Sequence, residues 1–228
     1  MPMRFDEELA RLKQDLLRMS GLAERMIRKM DQVLVERKTA LIAEIRADET
    51  TLDQFQVELD NHTIRLISVY TPVAGDLRLL IMISRIISEV ERIGDQVINV
   101  CNTFENLLRE APLKPLVDLP RMADIAEDML HRVLKAFVQG SANEALAVIE
   151  ADDQLDKLND QIFRELLTYM ISDPRNLGRA LGLIFAARAY ERIGDHAVNI
   201  AEDVVYIVRG EDIRHAGKPP QPAEPPAG

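Results

Sequence analysis

Glu91 and Asp95 stand four residues apart, and so do Glu191 and Asp195. They belong to a phrase the chain uses twice: Glu91-Arg92-Ile93-Gly94-Asp95 recurs 100 residues later as Glu191-Arg192-Ile193-Gly194-Asp195. On a helix, residues at this spacing lie one turn apart on the same side. Each phrase therefore aligns two carboxylates, followed along the row by Asn99 and Asn102 in the first copy and by Asn199 and Glu202 in the second. Two acids so placed repel by roughly 0.2–0.5 kcal/mol in a bare helix, a cost that a bound cation would reverse. A solvated acidic face is the plainer reading of any single such pair; duplication at the same position in two halves speaks for a site. Two more pairs share the spacing, Glu49 with Asp53 and Asp152 with Asp156. If the helices that carry them pack antiparallel, as short connections favour, each half could present four carboxylates to one point, although spacing alone leaves open whether the pairs meet. An all-oxygen donor set suits Fe, Mn, Mg or Ca ahead of zinc, which prefers His and Cys.

Long helices must position these acids. Ile83, Ile86, Val90, Ile93, Val97, Val100, Phe104 and Leu107 step in threes and fours, and 100 residues on stand Leu183, Ala186, Tyr190, Ile193, Ala197, Ile200, Val204 and Ile207. That is one buried helix face, duplicated in register. A first amphipathic helix is expected over 5–38, with Leu9, Leu12, Leu16, Met19, Ala23, Met26, Ile27, Met30 and Leu34 on one face and a mild interruption at Gly21. A second is expected over 39–69, closed by Thr71-Pro72, and a third over 76–110, with Asp76 as N-cap or first-turn acid. Pro112 and Pro115 mark the boundary between halves. Helices over 119–138 and 142–171 follow, then a last one opened by Ser172-Asp173-Pro174, with proline in its first turn, and ended at Gly210. The expected fold is all-α, two tandem three-helix bundles over 1–111 and 112–216 related by a pseudo-twofold, with a loose Pro-rich tail over 217–228.

Composition narrows the function. With 228 residues, 47 % hydrophobic and 29 % charged, the chain can bury a sizeable core as one large domain or two small ones. A net charge of −10 argues against a nucleic-acid partner and suits a protein that collects cations. The single cysteine, Cys101, excludes an internal disulfide, fits a reducing cytosol and reads as a small packed residue. No apolar run approaches a membrane span and the first residues lack a signal-peptide pattern, so the expected location is cytoplasmic.

Several residues invite a functional reading and a plainer one. Gly94 and Gly194 cost about 1 kcal/mol each in a helix interior; close approach of a neighbouring helix would offset that, with room for a metal and its waters as the rival reason. Pro72-Val73-Ala74-Gly75-Asp76-Leu77-Arg78 has only an altered counterpart, Asp173-Pro174-Arg175-Asn176-Leu177-Gly178-Arg179, and reads as a loop that caps a helix rather than a partner contact. Arg78 and Arg92 read as salt-bridge partners ahead of phosphate ligands. His62 and His131 look like surface or boundary residues, and His196 lies off the acid row. No His has the Glu-x-x-His spacing of di-iron oxidases.

Pro72 to Arg78, the doubled Glu-Arg-Ile-Gly-Asp phrase, Leu167-Thr168-Tyr169-Met170 and Asp212-Ile213-Arg214-His215 together resemble the PhoU family, accessory proteins of phosphate-specific transport systems. The resemblance spans about residues 5 to 217. It implies a dimeric, metal-binding regulator of phosphate uptake that links the ATPase subunit of a phosphate ABC transporter to a phosphate-sensing histidine kinase and represses signalling. It also implies metal ligation by Glu49, Asp53, Glu91 and Asp95 at a first cluster and by Asp152, Asp156, Glu191 and Asp195 at a second, with Asn199 and Glu202 beside the latter. The ion is left open among divalent and trivalent metals, Fe, Mn, Mg and Zn included. Because Asn102 and Thr103 of the first half become Glu202 and Asp203 in the second, the second site is expected to hold metal more tightly. The alternative, a carboxylate-bridged enzyme of the ferroxidase or phosphohydrolase type, is weakened by the missing Glu-x-x-His and by the lack of any assignable nucleophile or base. The expectation is therefore a protein that is not an enzyme.

Overall fold

The computed structural model describes residues 2–214, so the reading of 217–228 as a loose tail, and His215, lie outside the described residues. Six long helices account for nearly all of it: α1 (Pro2–Glu36), α2 (Ala40–Tyr70), α3 (Ala74–Leu107), α4 (Asp118–Gln139), α5 (Ala142–Ser172) and α6 (Leu177–Arg209). Local chemistry sets their ends. Thr71 turns left-handed at φ 45° immediately before Pro72 and closes α2. Ser141 accepts a hydrogen bond from the Glu144 N–H at 3.3 Å and starts α5. Gly140 and Gly210, at φ 61° and 73°, stop α4 and α6, a backbone state that glycine adopts without Cβ strain.

Two boundaries differ from expectation. Helix α3 ends at Leu107 rather than near residue 110, and a turn there leads into the proline-bearing linker. Pro174 is not in the first turn of α6. It sits in a short 3-10 turn, Pro174–Asn176, which Asp173 caps by accepting the Arg175 N–H at 3.0 Å. Asp76 takes the first-turn role, where its charge faces the positive end of the helix dipole.

Helices α1, α2 and α3 pack together, as do α4, α5 and α6, and the halves meet through α3 on α6 and α1 on α4. Of the other long helices, α2 touches only α1 and α3, and α5 only α4 and α6, so these two helices flank a central four. The duplicated stripe faces inward: Ile83, Ile86, Val90, Ile93, Val97 and Val100 are fully buried, as are Ala186, Tyr190, Ile193, Ala197 and Ile200. One continuous hydrophobic core runs through both halves. Each fully buried Leu or Ile in it contributes about 1.5–3 kcal/mol. Gly21 does not interrupt α1. Cys101 is buried, its Sγ 3.2 Å from Met30 Sδ, and burial pushes its thiol up to about 12, which makes it a packing residue and no nucleophile.

Candidate metal centres

The glycine of each repeated phrase sets the geometry. Gly94 lies between Glu91 and Asp95 on α3, and Leu52 lies between Glu49 and Asp53 on α2. A Cβ added at Gly94 would collide with Leu52 Cδ2, so the leucine, itself fully buried, seats in the gap that the glycine leaves. In the second half Leu155, between Asp152 and Asp156, seats against Gly194, where an added Cβ would lie 2.5 Å from Leu155 Cδ1 and 2.8 Å from Asp152 Oδ1. A knob seated in a glycine gap fixes the register of two antiparallel helices. The two acids flanking the knob are thereby brought opposite the two flanking the gap. Close approach of a neighbouring helix is thus the reason for both glycines, and at Gly194 a candidate ligand occupies part of the same space.

Electrostatics report the convergence. Glu49 is raised above its ordinary range by burial and then by the charges of Asp53 and Asp95. Glu91 is raised by burial, then by Asp95, Asp53 and Glu49, against a lowering from Arg92. Asp95 is raised by burial and by Asp53. The second cluster repeats this: Glu191 is raised by burial, Asp195 and Asp156, and Asp195 by burial and Asp156. Asp152 is the extreme case, pushed up to about 7 by burial and then by Asp156, Asp195 and Glu191. Six of the eight carboxylates are thus raised with an acid of the opposing helix among the causes, and Asp53 and Asp156 are among the acids that raise them. Among the described residues no three of them close around a common point as they stand. Like charges hold such side chains apart. The donors fit an oxygen-seeking cation, because Asp152 Oδ1 is buried without any hydrogen-bond partner and every candidate oxygen belongs to a carboxylate.

Other residues of the rows are engaged elsewhere. Asn102 accepts from Arg46 at 3.1 Å. Asn199 donates to Glu89 Oε2 at 3.1 Å, and Glu202 adds to the field that raises Arg214. Asp203, expected to enrich the second cluster, is fully buried and bound to Arg85 Nε at 3.1 Å. Asp203 is thus unavailable to the second cluster, and what distinguishes that cluster from the first in the structure is the buried Asp152.

The reading by motif missed the ties between halves. His196 Nδ1 lies 2.8 Å from Glu89 Oε2, joining α6 to α3 beside the second cluster, and burial of Glu89 is outweighed by hydrogen bonds from His196 and Asn199, which lower it. Glu89 and Arg85 face the positions of Ala189 and Phe185 in the repeat, and Asp203 that of Thr103. The places where the repeat breaks were the available signal. The Pro72 to Arg78 segment has a structural role. The Arg78 guanidinium lies 5.6 Å from the Tyr206 ring centre and donates to the Ile207 carbonyl at 3.5 Å, which fastens the start of α3 to the end of α6. His62 and His131 sit against Glu8 and Glu24.

Two helix pairs, each with a glycine-seated leucine flanked by acids and fused through one core, define a tandem three-helix-bundle protein. The PhoU domain model matches residues 16–104 and again 119–204, and the chain belongs to the PhoU family. It is 38 % identical over 213 residues to the phosphate-specific transport system accessory protein PhoU homolog of Aquifex aeolicus, covering 93 % of this chain and 96 % of that protein. The Pseudomonas putida homolog of the same name is 36 % identical over 215 residues, 94 % of this chain and 84 % of that one. The crystal structure of PhoU from Pseudomonas aeruginosa superposes with a TM-score of 0.88 at 35 % identity, over 91 % of this chain and all of that one. These relatives are named as accessory proteins rather than enzymes, and that is the class of this chain. Among the described residues no helix is long and apolar enough to cross a membrane.

Proposed function

We propose that the chain is a cytoplasmic accessory protein of a phosphate transport system, a metal-binding adaptor that represses phosphate signalling by linking the ATPase subunit of a phosphate ABC transporter to a phosphate-sensing histidine kinase, and that it works as a homodimer of two-bundle chains divided at residues 111 and 112. Family membership and the names of the relatives support the transport role. The metal reading is supported by one observation: in both halves the seated leucine sets two acids of one helix opposite two of the next, and Glu49, Glu91, Asp95, Asp152, Glu191 and Asp195 are raised by burial and by neighbouring acids. Such repulsion persists in a fold when something of opposite charge offsets it. A bound divalent or trivalent ion supplies that charge and braces α2 against α3 or α5 against α6. The residues that would hold it are Glu49, Asp53, Glu91 and Asp95 in one half and Asp152, Asp156, Glu191 and Asp195 in the other.

Capture of both partners tests the adaptor role. Immobilised full-length chain is expected to retain the transporter ATPase and the kinase from purified stocks. Failure to retain either one, in high and in low phosphate, would reject the adaptor reading.

A further inference from the structure

Beneath the linker between the bundles lies a cavity of about 190 Å3. Its floor is apolar, formed by Leu34, Phe104, Leu107 and Leu183, and the linker residues 111–116 roof it. Its walls include three cations, Arg37, Lys114 and Arg179, and no carboxylate, in a chain whose net charge is −10. Lys114 is neutralised from outside the cavity by Glu165 and by Asp118, the latter at 3.6 Å. Of the two arginines, Arg179 meets only the exposed Glu110. Arg37 donates to the carbonyls of Leu108 and Glu110 and, among the described residues, forms no ion pair. Its backbone is held at φ 55°, a region that non-glycine residues seldom adopt and that clusters where a fold must aim a side chain. Arg179, in the first turn of α6, donates to the Ala111 carbonyl at 3.2 Å and to Asn176 Oδ1 at 2.7 Å. Its Nε is buried with no hydrogen-bond acceptor, the nearest charge being the exposed Glu110 carboxylate at 3.7 Å.

We propose that this cavity binds a small organic monoanion, a carboxylic acid with an apolar body. A dry cavity of about 150 Å3 takes benzene, so the body is about the size of one aromatic ring or a short alkyl chain. The body fills the space over Leu107 and Leu183. The carboxylate meets the guanidiniums of Arg37 and Arg179, with the displaced Glu110 leaving the Arg179 Nε–H for the ligand. Charge-assisted bonds to arginine are stronger than neutral ones, so the head sets affinity and the body sets selection against small inorganic anions. Because Arg37 follows α1 of the first bundle, Arg179 lies in the first turn of α6 in the second and both hold the linker region by its carbonyls, the ligand contacts both bundles and their connection at once. The inference is independent of metal at the acid clusters.

Fluorine NMR titration of the full chain tests it, with 4-fluorobenzoate as probe, 4-fluorotoluene as the uncharged body and inorganic phosphate as the anion without a body. One saturable site is expected, about ten-fold or more tighter for 4-fluorobenzoate than for 4-fluorotoluene, corresponding to about 1.4 kcal/mol, and not displaced by equal phosphate. Arg37→Asn, which tolerates positive φ, is expected to weaken binding about ten-fold. Leu113→Trp, which fills the cavity, is expected to abolish it. Should Arg37→Asn fail to fold, Arg179→Gln removes the other charge while keeping a donor for Ala111. Equal affinity for the neutral probe, displacement by phosphate, indifference to these substitutions, or no saturable binding at millimolar probe would each overturn the proposal.

Discussion

Asp152 carries its charge at a cost that the fold imposes. One of its oxygens is buried without a partner, and Asp156, Asp195 and Glu191 face it. Its folded-state value of about 7 lies above the ordinary 3.8, so between those values the folded state binds more protons than the unfolded state and stability falls as pH rises. The penalty is absent below about pH 4 and complete above about pH 7. Asp152→Asn removes the charge at nearly constant shape. In chelator-treated protein it is expected to raise the melting temperature at pH 8 and to leave it unchanged at pH 4, followed by circular dichroism. A lower melting temperature at pH 8 would show that the carboxylate is stabilised by something other than metal. The spacing of four identified all eight acids in the sequence. It could not distinguish Asp152 from Glu49, because burial depends on how deeply α5 settles on α6, a property of the packed hairpin.

At the scale of elements, the glycine gap decides how closely two helices approach. Gly194→Ala would place a methyl 2.5 Å from Leu155 Cδ1 and 2.8 Å from Asp152 Oδ1. It is expected to destabilise the protein by about 1–3 kcal/mol, the range for overpacking, measured by urea denaturation. Gly21 has nothing within 4 Å of where its Cβ would be, so Gly21→Ala is expected to stabilise by up to about 1 kcal/mol. If the two substitutions behaved alike, the gap would have no packing role. Helix faces were legible because Leu12, Leu16, Met19, Met26 and Met30 follow the helical period and are all buried. The early end of α3 was not, since Arg37 there binds the Leu108 carbonyl from far away in sequence, and the 3-10 turn at Pro174 was not, since Asp173 and Pro174 can equally open an α-helix.

At the scale of the whole molecule the halves are held by polar ties within a shared core. Arg85 on α3 meets the fully buried Asp203 on α6, which burial pushes up to about 6 despite the opposing pull of Arg85 and Arg214. Arg85→Met leaves that carboxylate without its partner and is expected to cost roughly 1.5–3 kcal/mol at pH 8. Below pH 6 Asp203 takes up a proton and the loss shrinks; equal losses at pH 5 and pH 8 would contradict this. The doubled plan was legible in the 100-residue repeat. The joint between the halves was not, because Arg85, Glu89 and Asp203 have no equivalents in the other half and no periodic pattern marks them. Metal content most directly tests whether the two acid clusters are ion sites. Protein loaded with Mn or Fe, desalted and analysed by plasma mass spectrometry is expected to lose half or more of its tightly bound metal on Glu191→Ala with Asp195→Ala, since the second of the two clusters is removed. Metal content unchanged from that of the parent protein would contradict the assignment.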